Sequence, residues 1–154
     1  MAPLEVEDLR ALRLWEGKQL PVGQWTTVTQ EMINDFAKAT MDFQWIHVDV
    51  ARATKYSPFK KPVAHGFMSL SLLSKMLEGM IRVKSAKMGV NYGLNKVRFP
   101  SPVVVNSNLR LTGSIATIED YGGTGVKITW NLTVEIEGSE KPACVAEFIS
   151  LMFE

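Results

Sequence analysis

An α+β fold, with one antiparallel sheet wrapped around a central apolar helix, is predicted by three features of this chain. First, Gly66–Ile81 carries Phe67, Met68, Leu70, Leu72, Leu73, Met76, Leu77, Met80 and Ile81, which point in nearly every direction around a helix. A helix apolar on all sides must be covered on all sides. Second, Val126–Glu137 alternates strictly. Ile128, Trp130, Leu132, Val134 and Ile136 are apolar, and Lys127, Thr129, Asn131, Thr133, Glu135 and Glu137 are polar. That period of two marks a sheet with one buried face. Third, Tyr121-Gly122-Gly123-Thr124-Gly125 and Gly138-Ser139-Glu140-Lys141-Pro142 flank this run as hairpin connections.

The elements follow in order. Leu9, Leu12 and Trp15 are spaced by three, with Leu4 upstream, which predicts a short amphipathic helix within residues 1–16, packed outside the domain. Lys18–Val28 holds two Thr, two Val and a Trp and is expected to supply a first strand. Thr29 is placed to cap a helix running to about Thr40, with Glu31 in its first turn and Met32, Ile33, Phe36 and Ala37 on one face. Met41–Val48 looks irregular. Asp49 is placed to cap a short helix from Ala51 to about Lys55, ended by Ser57-Pro58. The central helix, about 16 residues at 1.5 Å each, spans about 24 Å. Four strands then follow: Lys87–Phe99, Val103–Ile118, Val126–Glu137 and Ala143–Phe153. Sequential strands joined by short turns form an antiparallel sheet, and long twisted strands can curl around one helix. With no repeat or linker, residues 1–154 make a single domain.

Composition excludes several classes of function. The chain has 154 residues, 46% hydrophobic and 21% charged, long enough to bury a core and too apolar for disorder. Seventeen Lys and Arg against 16 Asp and Glu leave a net charge of +1, so no basic field draws nucleic acid or an anionic membrane. Cys144 is alone and forms neither an internal disulfide nor a cysteine-based zinc cluster. His47 and His65 lack HExxH spacing, so no protein-held metal is expected. Glu5, Glu7, Asp8, Arg10, Arg13 and Glu16 interrupt any secretory signal, and no apolar run approaches the roughly 20 residues of a membrane span. A cytoplasmic protein is the expectation.

Chemistry concentrates in two places. Asp42 and His47 lie five apart beside Phe43, Trp45 and Ile46, a polar pair next to apolar surroundings that suits proton transfer near neutral pH. The same spacing also fits a turn-capping Asp42 and a half-buried structural His47. Ala64-His65-Gly66 precedes the central helix, whose start presents unpaired N–H groups. Gly66 leaves its amide open to an anionic oxygen, or else serves close packing, with His65 as a cap. Ser69, one turn into the helix, either faces the site or bonds its own backbone. No GxSxG elbow makes it a nucleophile. Lys60, Lys61, Arg82, Lys84 and Lys87 are solvated surface charge or phosphate contacts. Gly122-Gly123-Thr124-Gly125 is a turn rather than a phosphate loop.

Three segments resemble one family. Phe36-Ala37-Lys38-Ala39-Thr40-Met41-Asp42-Phe43-Gln44-Trp45-Ile46-His47, followed by Ala53, resembles the hydratase 2 motif of MaoC-like dehydratases. Pro62-Val63-Ala64-His65-Gly66-Phe67-Met68-Ser69 is similar to that family's helix entry. Asn91-Tyr92-Gly93-Leu94-Asn95-Lys96-Val97-Arg98-Phe99 resembles a strand of its NodN-like and mycobacterial enoyl-CoA hydratase branch. The resemblance runs from about Gly17 to the C-terminus and implies the hot-dog fold. It implies an (R)-specific enoyl-CoA hydratase, in which Asp42 and His47 activate a water and the Gly66 amide polarises the thioester carbonyl. Gln44, Trp45, His65 and Ser69 are the implied substrate contacts. No metal or redox cofactor is implied, since coenzyme A arrives with the acyl-CoA substrate. A homodimer is implied, with sheets paired edge to edge.

The sequence departs from the family pattern at two places. Met41 stands where Gly is common, and Gln44-Trp45 where Asn-Pro is common. Trp45 there is expected to narrow the acyl tunnel and favour shorter chains. Two other readings share the fold: an acyl-CoA thioesterase, and a non-catalytic acyl-CoA-binding NodN-like protein. The first needs a base on the central helix, where Phe67–Lys75 has no Asp or Glu and Glu78 is the first acid. Retention of both Asp42 and His47 argues against the second.

Overall fold

The computed structural model describes residues 2–154. Strand β1 (Leu4–Val6) opens the chain, and helix α1 (Leu9–Arg13) follows. Asp8 caps α1 by accepting the Ala11 N–H at 2.8 Å. Leu9 and Leu12 are buried in the main core, so this segment is built into the domain and not merely laid on its outside. Its strand pairs in parallel with β3 (Ile81–Val83), Leu4 opposite Ile81 and Val6 opposite Val83.

The strand expected over Lys18–Val28 shrinks to β2 (Thr26–Thr27). The rest of that segment, with Gly17 just before it, tracks the sheet without regular pairing, donating from Gly17, Leu20 and Gly23 to the carbonyls of Ile115, Gly113 and Leu111. Helix α2 (Gln30–Thr40) forms as its pattern predicts. The Thr29 side chain accepts the Met32 N–H, while Ile33 and Ala37 face the core. The segment after α2 is not wholly irregular, because Trp45–Val48 closes one helical turn, α3. Asp49 then caps α4 (Val50–Tyr56), accepting from Arg52 N at 3.0 Å.

The central helix is shorter than expected and is interrupted only slightly at Leu72, which keeps a right-handed helical backbone between α5 (Gly66–Ser71) and α6 (Leu73–Glu78). Met68, Leu73, Met76 and Leu77 are buried, but Phe67 is 67% exposed. The single chain therefore leaves part of this apolar helix uncovered.

Four long strands follow: β4 (Met88–Arg98), β5 (Asn108–Tyr121), β6 (Gly125–Ile136) and β7 (Cys144–Phe153). The sheet order is β2-β5-β6-β7-β4. Strands β5, β6 and β7 form the expected meander. Strand β4 crosses to the far edge and pairs antiparallel with β7, from Met88 opposite Phe153 to Arg98 opposite Val145. The buried Ile128, Trp130, Leu132 and Val134 show the period of two on β6, although Thr129 of the other face is buried as well, and the Trp130 indole donates to Ser150 Oγ at 2.8 Å. Among the described residues, no helix is long and apolar enough to cross a membrane.

Candidate active site

The site assembles where α2, α3 and the entry to α5 meet. Helix α2 ends on Met41, whose φ of 61° is left-handed. That turn redirects the chain so that Asp42 leaves the helix axis. Thr40 Oγ1 accepts the Asp42 N–H at 3.4 Å, and Asp42 Oδ1 accepts the Gln44 N–H at 3.3 Å. The Asp42 carboxylate thus starts α3 and is still 55% exposed. The turn-capping role that its spacing allowed is present, and the carboxylate remains open to solvent.

The left-handed turn explains why this position favours glycine. A residue with a Cβ costs roughly 1–2 kcal/mol there, partly offset by the chain entropy that glycine loses on folding. Met41 is 80% exposed, so little packing compensates it. Met41→Gly should stabilise the fold by about 1 kcal/mol and raise Tm by about 2–4 °C. Calorimetry showing a lower Tm would contradict this account of the turn.

His47, on α3, is buried. Its Nδ1 lies 2.6 Å from the Val63 carbonyl, an acceptor only, so Nδ1 carries the hydrogen and Nε2 keeps its lone pair. Burial pushes the imidazole below its ordinary value, and the neighbouring His65 ring acts in the same direction. The Val63 hydrogen bond and the Asp42 carboxylate oppose them. His47 is therefore neutral at neutral pH and presents a bare nitrogen. Val63 locks this arrangement from both sides, since its own N–H donates to Ile46 O at 3.0 Å. Gln30 fixes α3 from behind, donating from Nε2 to the His47 carbonyl at 2.8 Å.

His65 follows Val63 and precedes α5. Its ring lies stacked on His47, centroids 3.8 Å apart and planes 25° from parallel, with Phe36 against it at 4.9 Å. His65 is 3% exposed. A substrate cannot reach the ring without displacing its neighbours, so the expected contact role gives way to a buried one. Gly66 opens α5, and as a first-turn N–H its amide has no intrahelical acceptor. A Cβ at Gly66 would stand 3.2 Å from the Phe99 ring.

The remaining expected contacts are dispersed. Gln44 is exposed at the start of α3, and Trp45 is half-buried with the Arg52 guanidinium 4.5 Å over its ring. Ser69 is buried within α5. A groove of about 850 Å³ opens beside α6, floored by Leu77, Ile81, Trp130 and Phe148, but neither Asp42 nor His47 lines it. Cys144 is buried, with its thiol pushed up to about 11 by burial, and offers no nucleophile.

Donor atoms of Asp42, His47 and His65 all lie within 4.8 Å of one another. The histidine rings are stacked, so an ion in the plane of one ring stands out of the plane of the other, where imidazole has no lone pair. The arrangement fits proton handling better than metal ligation.

A profile of the MaoC like domain matches residues 16–136. The chain belongs to the MaoC-like dehydratase family. It is 50% identical over 143 residues to 3-hydroxyacyl-thioester dehydratase Z of Mycobacterium tuberculosis, covering 93% of this chain and 94% of that one. It is 42% identical over 137 residues to Nodulation protein N of Rhizobium leguminosarum bv. viciae, covering 88% and 85%. Among solved structures it resembles the unliganded R-hydratase PhaJ1 of Pseudomonas aeruginosa, with a TM-score of 0.66 at 19% identity, covering 90% and 81%. The MaoC-like chain therefore has the hot-dog fold, as its three motif segments implied.

Proposed function

We propose that this MaoC-like protein is an (R)-specific enoyl-CoA hydratase, reversibly hydrating a trans-2-enoyl-CoA to the (R)-3-hydroxyacyl-CoA. The observation that supports it most is the bare Nε2 of a buried, neutral His47 grouped with the Asp42 carboxylate. The relative's name, 3-hydroxyacyl-thioester dehydratase, describes the same chemistry in reverse.

Asp42 and His47 hold one water between them. The C3–O bond forms as a water O–H bond breaks, and a proton is delivered to C2. The alkene is weakly electrophilic until its carbonyl is polarised. The Gly66 amide N–H donates to that carbonyl oxygen and stabilises the enolate-like charge, a contribution worth about 10²–10³-fold where such a donor is lost. The reaction asks for no redox cofactor, and coenzyme A comes with the substrate. Gln44 and Trp45 contact the substrate, whereas Ser69 is as buried as His65 and is left to packing within α5; Trp45 favours shorter acyl chains. Rates that climb steadily toward long chains would contradict that role.

A second copy completes the particle. One sheet edge is blunted by the two-residue β2, whereas the other is the eleven-residue β4, which exposes Met88, Val90, Tyr92 and Leu94. A long apolar edge is a template for pairing. Phe43 and Phe67, next in sequence to Asp42 and Gly66, are also exposed. Light scattering should therefore find a homodimer, and Val90→Lys with Leu94→Lys should shift it toward monomer. A dilute wild-type monomer with full activity would contradict the dimer.

The thioesterase reading lacks its base: Glu78, the acid on α6, is exposed at the last turn and paired with Lys75 at 3.3 Å. Incubation with crotonyl-CoA separates the readings. Loss of enoyl absorbance without thiol release supports the hydratase, thiol release selects the thioesterase, and neither signal leaves a binding module.

A further inference from the structure

His65 is not needed to touch substrate, yet it is the buried residue that joins the parts of the site. Its Nε2 lies 3.0 Å from the backbone carbonyl of Asp42. A carbonyl only accepts, so Nε2 carries the hydrogen and donates it. The Asp42 carboxylate is farther off, at 4.0 Å, and points to solvent. The other ring nitrogen, Nδ1, is buried with no hydrogen-bond partner among the described residues. A hydrogen placed on Nδ1 would be a buried donor with no acceptor among the described residues, which is unfavourable. Geometry thus selects one tautomer, with the hydrogen on Nε2, opposite to that of His47.

The same ring backs His47 face to face and is held on another side by Phe36 of α2. The backbone of His65 accepts from Met68 N at 3.0 Å and so anchors the first turn of α5, next to the Gly66 amide. Asp42 needs such an anchor. It follows a left-handed residue, and its own side chain bonds only within its turn.

We infer that His65 is a positioning residue, which clamps the Asp42 backbone by its Nε2–H and braces the His47 ring, so that carboxylate, imidazole and Gly66 amide keep one spacing. This deepens the hydratase reading and rests on it for its kinetic consequence. Displacing a reacting group by about 1 Å can cost about 10²-fold in rate. Substrate binding should change little, because His65 is screened from the ligand.

The test compares His65→Leu with His65→Gln in the full chain. Leu fills similar space without a donor, and the Gln Nε2 can carry one toward the Asp42 carbonyl. H65L should lose about 10–100-fold in kcat on crotonyl-CoA with KM within about threefold, and H65Q should recover most of that loss. Equal losses in both variants, or a loss carried mainly by KM, would overturn the clamp. Long-range ¹H–¹⁵N spectra of the wild type give a readout independent of activity: His65 should carry its hydrogen on Nε2 and His47 on Nδ1. A hydrogen on Nδ1 of His65 would overturn the clamp even if hydration is observed. The expected tautomers in a protein that hydrates nothing would sustain the clamp and sink only the hydratase reading.

Discussion

Asp42→Asn should lower the rate of crotonyl-CoA hydration by about 10²–10⁴-fold while leaving the fold intact. The amide keeps the size of the carboxylate and can still accept the Gln44 N–H through its oxygen, so the turn that starts α3 survives. It cannot take a proton from water. The carboxylate is more than half exposed, so the exchange leaves no buried group without a partner. A variant with unchanged Tm and near-normal turnover would remove Asp42 from the chemistry. A large fall in Tm would instead show that the turn depends on the charge.

His47→Gln should cost a similar factor, and the wild-type pH profile should carry the signature of His47. Its folded value lies below the ordinary 6.5, with burial as the main cause. The bare Nε2 therefore persists to lower pH than in a free imidazole, and the acid limb of kcat/KM attributable to this group should fall below 6.5. The same shift has a consequence for stability. Between the depressed folded value and the unfolded one, the unfolded chain binds more protons than the native one. Stability is consequently unaffected by His47 above the unfolded value, and declines as pH drops through this window. In His47→Gln that acid-side decline should be shallower. An acid limb centred above 6.5 that disappears in His47→Gln would contradict the buried, neutral imidazole.

How much of this was legible in the sequence follows from the range of the interactions. Helix α2 and its Thr29 cap are set by contacts three or four residues apart, and they form where the pattern puts them. The meander β5–β6–β7 is likewise local, joined by tight turns and marked by period two. The pairing of Leu4–Val6 with Ile81–Val83 joins ends of the chain far apart in sequence, and three residues carry no periodicity to announce it. The same holds for β4, whose apolar composition shows a strand but not which neighbour it will choose. The slight interruption at Leu72 has no helix breaker to reveal it, since Leu is a good helix former.

The site divides along the same line. Asp42, His47 and Gly66 are visible because the roles proposed for them rest on their side chains, or on the lack of one. Val63 was invisible because its carbonyl and amide do the work, and any residue other than proline supplies both. Gln30 was hidden in plain view at the start of α2, a polar residue whose partner is the backbone of another helix. His65 reads in the sequence as a helix cap or a substrate contact. Only the fold reveals that the chain lays its ring against His47, from eighteen residues away.

The central claim is that Asp42 and His47 share one water across from a thioester carbonyl seated on the Gly66 amide. A crystal structure with a non-hydratable acyl-CoA analogue tests it most directly. The account predicts the carbonyl oxygen at about 3 Å from the Gly66 nitrogen, with a water in hydrogen-bond reach of both the Asp42 carboxylate and His47 Nε2. A carbonyl seated elsewhere, or a bound acyl chain with Asp42 and His47 facing away from it, would contradict it.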